Sequence, residues 1–200
     1  MAPDPAAQVN PIAIVALAAS AGGLKALTVV LAALPRDFPA AIVMVQHLDP
    51  RHRSMLSEIL GRRTYLDVQQ ARQDDLIKPG CVLVAPPDHH LLVNPDSTVS
   101  LSRAALVHFV RPSADLLFES VAASYRERAI AVVLSGSGSD GAMGVRAIKK
   151  MGGTVIVQDA AAEFGGMPGA AVRTGMADLV LPLHEIAPAV LDLVGRKTAA

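Results

Sequence analysis

Ile12-Ala13-Ile14-Val15-Ala16-Leu17 runs into Ala18-Ala19-Ser20-Ala21-Gly22-Gly23, and Leu24 then opens a helical pattern that stops at Pro35. The first six residues are a short, unbroken apolar run with no polar residue to mark a wet face. A run of that kind fits a strand buried on both sides, as in parallel sheets covered by helices. The same unit recurs. Ala41–Val45, Ile130–Leu134, Thr154–Gln158 and Leu179–Leu181 read as strands, and the helical patterns Ser54–Leu60, Ser113–Arg126, Ala142–Met151, Gly169–Arg173 and Ile186–Val194 alternate with them. Alternation of this sort predicts a doubly wound α/β fold built on a mainly parallel sheet.

Between the helical patterns Ser54–Leu60 and Ser113–Arg126 lie four short strand-like stretches: Asp67–Ala71, Cys81–Ala85, Leu91–Asn94 and Val99–Leu101. Turn residues separate them, including Asn94-Pro95-Asp96-Ser97, which has hairpin chemistry. They predict a small antiparallel extension to the sheet. Residues 11–195 form one expected domain, with a disordered tail over 1–10, where two prolines interrupt any pattern, and a C-terminal tail over 196–200.

Composition removes several function classes. The 18 basic and 18 acidic residues cancel, so no charge excess favours nucleic acid or an anionic membrane. Only 3% of residues are aromatic and there is no Trp, which leaves no platform for stacked bases. A lone cysteine, Cys81, excludes an internal disulfide and reads as a buried, inert thiol. No metal site is expected: His89 and His90 are adjacent and on a strand would face opposite ways. No Lys or Arg precedes Lys25, so the apolar start lacks the positive flank of a secretory signal. The expected location is cytoplasmic, with no inserted membrane segment.

Three residues carry the chemistry. Ser20, His47 and Asp140 each follow the C-terminal end of a separate expected strand, the edge where open α/β sheets place their sites. A hydroxyl, an imidazole and a carboxylate on one edge fit an activated-serine hydrolase. Each also has a plainer reading. Ser20 precedes a helix and would serve as its N-cap, and His47 would serve as a core-edge residue. Asp140 lies in Gly136-Ser137-Gly138-Ser139-Asp140-Gly141, a literal Gly-x-Gly-x-x-Gly between a strand and a helix, with Asp159 at the end of the next strand. That is the pattern of a dinucleotide site, although Asp140 would set a negative charge where pyrophosphate belongs. The residues alone leave the triad acid and the glycine turn both open.

Taken together the segments resemble the catalytic domain of chemotaxis-type protein-glutamate methylesterases, the CheB-type domain. Five blocks carry the resemblance in order: Ala18-Ala19-Ser20-Ala21-Gly22-Gly23; Val45-Gln46-His47; Pro79-Gly80 through Ala85-Pro86; Arg111-Pro112-Ser113 through Phe118; and Gly136–Gly141 with Gly165-Gly166-Met167-Pro168. The resemblance implies a Ser20–His47–Asp140 triad, oxyanion donors at the backbone of Ala21 and Ser137, and no cofactor. It implies hydrolysis of glutamate γ-methyl esters on cytoplasmic chemoreceptor helices, with deamidation of glutamines as a second activity. Three departures stand out. Ala21 replaces the usual Thr or Ser, Ser137 replaces the usual Met, and 200 residues leave no room for the phospho-receiver domain that commonly precedes such domains. A separate receiver or chemosensory partner is the expected source of any gating. The competing expectations are a catalytically weak binding module of a chemosensory pathway and a dinucleotide-binding protein.

Overall fold

The computed structural model describes residues 13–47 and 54–198. The expected tail over 1–10 lies outside these. Chain order is β1 (Ile14–Ala19), α1 (Gly23–Ala32), β2 (Ala41–Gln46), α2 (Leu56–Gly61), β3 (Asp67–Gln70), β4 (Cys81–Val84), β5 (His90–Val93), β6 (Val99–Ser102), α3 (Ala114–Tyr125), β7 (Ala129–Val133), α4 (Ala142–Lys150), β8 (Thr154–Gln158), α5 (Gly166–Arg173), β9 (Leu179–Leu181) and α6 (Leu183–Thr198). Residues 196–198, expected as the start of a tail, continue α6.

Seven strands form one parallel sheet in the order β3-β4-β2-β1-β7-β8-β9. The apolar runs explain the two covered faces. Along β1, Ile14, Ala16 and Ala18 turn to a core with α3, α4 and α5, while Val15, Leu17 and Ala19 turn to a core with α1, α2 and α6. Every residue of β1, β2 and β7 is buried. The doubly wound, mainly parallel expectation therefore holds.

The antiparallel extension is smaller than expected. Among the named strands of the described residues, β5 and β6 alone pair antiparallel, while β3 and β4 join the parallel sheet beside β2. The reason is visible in β4, where Val82, Leu83 and Val84 are all buried, which suits an interior strand and not half of a wet hairpin. Cys81 at its start is half-buried, and burial, then the charges of Asp67 and Asp75, push its thiol up to about 11, so it carries almost no thiolate at neutral pH.

The β5–β6 hairpin packs on α3. Val93 N–H donates to Ser120 Oγ and Ser124 Oγ donates to Val93 O, both at 3.0 Å. Helix α3 in turn presses on α4 at Gly144, where an added Cβ would meet Phe118 Cβ at 2.6 Å and the Asp115 backbone at 3.0 Å. Ser113 caps α3, its hydroxyl accepting from Leu116 N–H at 3.4 Å. Gly144→Ala should therefore destabilise the fold by roughly 1–3 kcal/mol through overpacking, against the helix-propensity gain of about 1 kcal/mol. Urea unfolding reads this directly; an unchanged or higher midpoint would show that α3 and α4 are not in this contact.

Candidate active site

Strands β1 and β7 are neighbours, yet the chain leaves them in opposite directions across the sheet, towards β2 and towards β8. This is the topological switch point, where the loops part and open α/β sheets leave a crevice. Ser20 follows β1 there, and the Gly136–Gly141 loop follows β7. A Cβ built on Gly136 would stand 3.0 Å from Ser20 Cβ.

Ser20 is not a helix cap. Helix α1 begins at Gly23, its N-cap is Gly22, and no side chain caps it. The turn around Ser20 is tied down through the backbone: Ser20 N–H donates to Ser135 O at 3.0 Å, and Ser135 Oγ donates to Ala21 O at 2.8 Å. Ser135 is buried, and its own N–H donates to Oε1 of Gln158, the last residue of β8, at 2.9 Å.

His47 follows β2 directly. Its N–H donates to Ala19 O at 3.1 Å, which places it beside the end of β1. Its ring joins Asp140, Nε2 to Oδ2, at 2.9 Å, with side-chain exposures of 13% and 4%. In the neutral tautomer that donates from Nε2, Nδ1 keeps its lone pair and can accept a proton. The Ser20 hydroxyl makes no hydrogen bond to the ring in this geometry; in unliganded sites such contacts are commonly loose and tighten with substrate.

Asp140 sits at the N-terminus of α3, where unpaired N–H groups and the helix dipole favour negative charge. Oδ1 accepts from Ser113 Oγ at 2.9 Å and Asp115 N–H at 3.1 Å, and Oδ2 accepts from Ala114 N–H at 2.6 Å besides His47. Burial works against the charge. The hydrogen bond from His47, those from Ala114 and Asp115, and the His47 charge outweigh it and hold the carboxyl below the usual range.

A second aspartate returns the arrangement. Asp115, in the first turn of α3, accepts at Oδ1 from Met143 N–H at 2.9 Å and Gly144 N–H at 2.7 Å, capping α4. Its Oδ2 lies 3.2 Å from His108 Nε2, and among the described residues it accepts no hydrogen bond. Burial pushes its pKa up, the Gly144 N–H opposes this, and the Asp140 charge adds to the rise. The two capped helix ends exclude the dinucleotide reading. The α4 N-terminus that would hold pyrophosphate already carries the Asp115 carboxylate, and Asp140 faces His47.

Sequence reasoning missed the groups that hold this geometry. His90, fully buried, accepts from Ser113 N–H at Nδ1 (3.1 Å) and bonds Ala105 O through Nε2 (3.1 Å), so β5 anchors the α3 N-terminus. The only sequence signal was a histidine in an otherwise apolar strand.

Among the described residues, the backbone N–H groups near Ser20 that make no hydrogen bond include those of Ala21 and Ser137. Each belongs to a peptide whose carbonyl is held. Ser20 O accepts from Gly23 N–H at 2.9 Å, and Gly136 O accepts from Met167 N–H at 2.8 Å. In a planar trans peptide the N–H points opposite to the C=O, so both donors have fixed directions. A cavity of about 580 Å³ opens beside Ser20, lined also by Leu24, Lys25, Gln46, Arg63 and Glu163. Among the described residues no helix is long and apolar enough to cross a membrane.

Comparison with known proteins agrees with this architecture. The family model described as CheB methylesterase matches residues 15–190. The chain is 43% identical over 188 residues to a Moorella thermoacetica protein-glutamate methylesterase/protein-glutamine glutaminase, covering 92% of this chain and 44% of that protein. It is 42% identical over 185 residues to the protein-glutamate methylesterase FrzG of Myxococcus xanthus, covering 92% and 55%. The chain thus spans about half the length of these curated relatives. The crystal structure of the Thermotoga maritima CheB methylesterase catalytic domain superposes with a TM-score of 0.88 at 35% identity, covering 91% of this chain and 98% of that one. With a family match over nearly its whole length and the same fold, the chain belongs to the CheB methylesterase family.

Proposed function

We propose that the chain is a serine hydrolase that cleaves glutamate γ-methyl esters on proteins, with residues 11–195 as one catalytic unit. The observation that carries this is the His47–Asp140 pair at the switch point, Nε2 to Oδ2 at 2.9 Å, which in the tautomer donating from Nε2 leaves Nδ1 to act as base. Ser20 Oγ attacks the ester carbonyl while His47 takes its proton. Asp140 keeps the ring oriented and stabilises the cation that forms. The Ala21 and Ser137 N–H groups receive the oxyanion, the position where preorganised donors contribute most. His47 returns the proton to the leaving methoxide, methanol departs, and water cleaves the glutamyl ester on Ser20 by the same steps. A glutamine side chain would follow the same route with ammonia as the leaving group, which accounts for deamidation as a second activity. The substituted positions do not remove these donors: Ala21 and Ser137 act through backbone N–H, which any residue supplies. The substrate is a methylated helix of a cytoplasmic chemoreceptor or receptor-like protein, and a separate receiver or chemosensory protein supplies gating.

Methanol release from methylated receptor helices should be measurable for the wild type. It should fall by about 10⁶-fold in Ser20→Ala and His47→Ala, and by about 10⁴-fold in Asp140→Asn. Near-wild-type release by folded Ser20→Ala would remove this mechanism.

The Asp140 carboxylate also marks the acid limb of stability. Its folded pKa lies below the unfolded value of about 3.9, so its contribution is complete above that value and is lost as pH falls through the folded pKa. Denaturant midpoints should drop more steeply below about pH 4 in the wild type than in Asp140→Asn. Parallel curves for the two proteins would place Asp140 outside this network.

A further inference from the structure

Strand β2 ends in Gln46, which is 7% exposed and stands between the loops that carry Ser20 and His47. Its Nε2 donates to Ser20 O at 2.7 Å and to His47 O at 3.1 Å. Both amide protons are used on carbonyls, which fixes the orientation of the side chain. The other end gains nothing from it: among the described residues Oε1 is buried without a hydrogen-bond partner, which disfavours folding. That oxygen lies against the first residue of α1, where a Cβ on Gly23 would fall 2.0 Å away. Stability alone gives no reason to keep a polar side chain half-satisfied here. What the side chain secures is the placement of two carbonyls, one from each chemistry-bearing loop.

We propose that Gln46 is a positioning residue of the esterase site: it aims the Ala21 N–H at the oxyanion and ties that peptide to the loop bearing the base. The role rests on the reading of Ser20 and Ala21 given under Proposed function. Ser20 O and Ala21 N–H belong to one planar peptide, so a donor that fixes the carbonyl also fixes the direction of the N–H. The other bond to this carbonyl, from Gly23 N–H, comes from the same turn and moves with it. Gln46 reaches it from a different strand, and it holds His47 O with the second proton of the same nitrogen. One rigid amide therefore couples the oxyanion donor after β1 to the base after β2, and a shift of either loop disturbs both.

The test uses Gln46→Met, which keeps the length of the side chain and removes both donors. Gln46→Glu, which keeps Oε1 and the shape but replaces the donor with oxygen, carries the same test should the first variant not fold. Methanol release from methylated receptor helices is measured beside the affinity for a boronic acid, which forms a tetrahedral adduct on a reactive serine. The expected result is a fall in kcat of roughly 10²-fold, as for a misplaced catalytic group. KM should stay within about 2-fold, because the lost interaction belongs to the transition state. Boronate affinity should fall in step with kcat/KM. Folded variants with wild-type kcat and boronate affinity would overturn the proposal, even if their Tm were lower, since that pattern marks a purely structural role. Ser20→Ala is run alongside: activity surviving in it would sink the esterase reading, whereas a Gln46 variant at full rate would sink only this inference.

Discussion

A buried carboxylate needs compensation, and the way Asp140 obtains it organises the whole site. It accepts one hydroxyl, two helix N-terminal amides and one imidazole. The α3 amides make the charge tolerable, and the imidazole makes it useful. Were α3 displaced, the carboxylate would lose three of these partners, and His47 would lose the group that sets its tautomer. On the proposed mechanism, the positioning of α3 is thus a condition for chemistry at the ends of β1 and β2, although α3 itself would contribute no reacting atom. Asp115 makes the dependence mutual by capping α4, whose first turn follows Asp140 in the chain.

This explains what the β5–β6 hairpin is for. It lies outside the main sheet, yet it grips α3 through Ser120 and Ser124 and fixes its first turn through His90. A similar logic operates at the strand ends. Gln158 on β8 holds the Ser135 N–H, and Ser135 holds Ser20 and Ala21. The Ser20 turn is secured by polar side chains at neighbouring strand ends because the apolar core stops below it. Preorganised dipoles of this sort incur no reorganisation at the moment of reaction, which is where electrostatic catalysis gains.

Much of this was legible in the sequence. Buried runs such as Ile14–Ala19 and Ala129–Val133 announce central parallel strands because neither has a polar face, and the three chemistry-bearing residues stand at strand ends that any such sheet would align. The sequence misled at β3 and β4, whose short length and turn-rich flanks resemble hairpin strands until the burial of Val82–Val84 is known. The Gly136–Gly141 loop remained ambiguous because its spacing fits two chemistries. What decides between them is Asp115, 25 residues upstream of Asp140 and joined to it through one N–H. Gln46, His90 and Ser135 could not be assigned from sequence, since each acts on a backbone group that only the tertiary fold brings near.

The central claim is that Ser20 is a nucleophile activated by a histidine that Asp140 holds in place. Labelling with a fluorophosphonate, followed by peptide mass spectrometry, tests it most directly, because such reagents modify an activated serine and leave ordinary hydroxyls alone. One phosphonyl group on Ser20 in the wild type, absent from His47→Ala, is the predicted result. A wild-type protein that stays unlabelled, or that carries the label on Ser137 or another serine, would contradict the account.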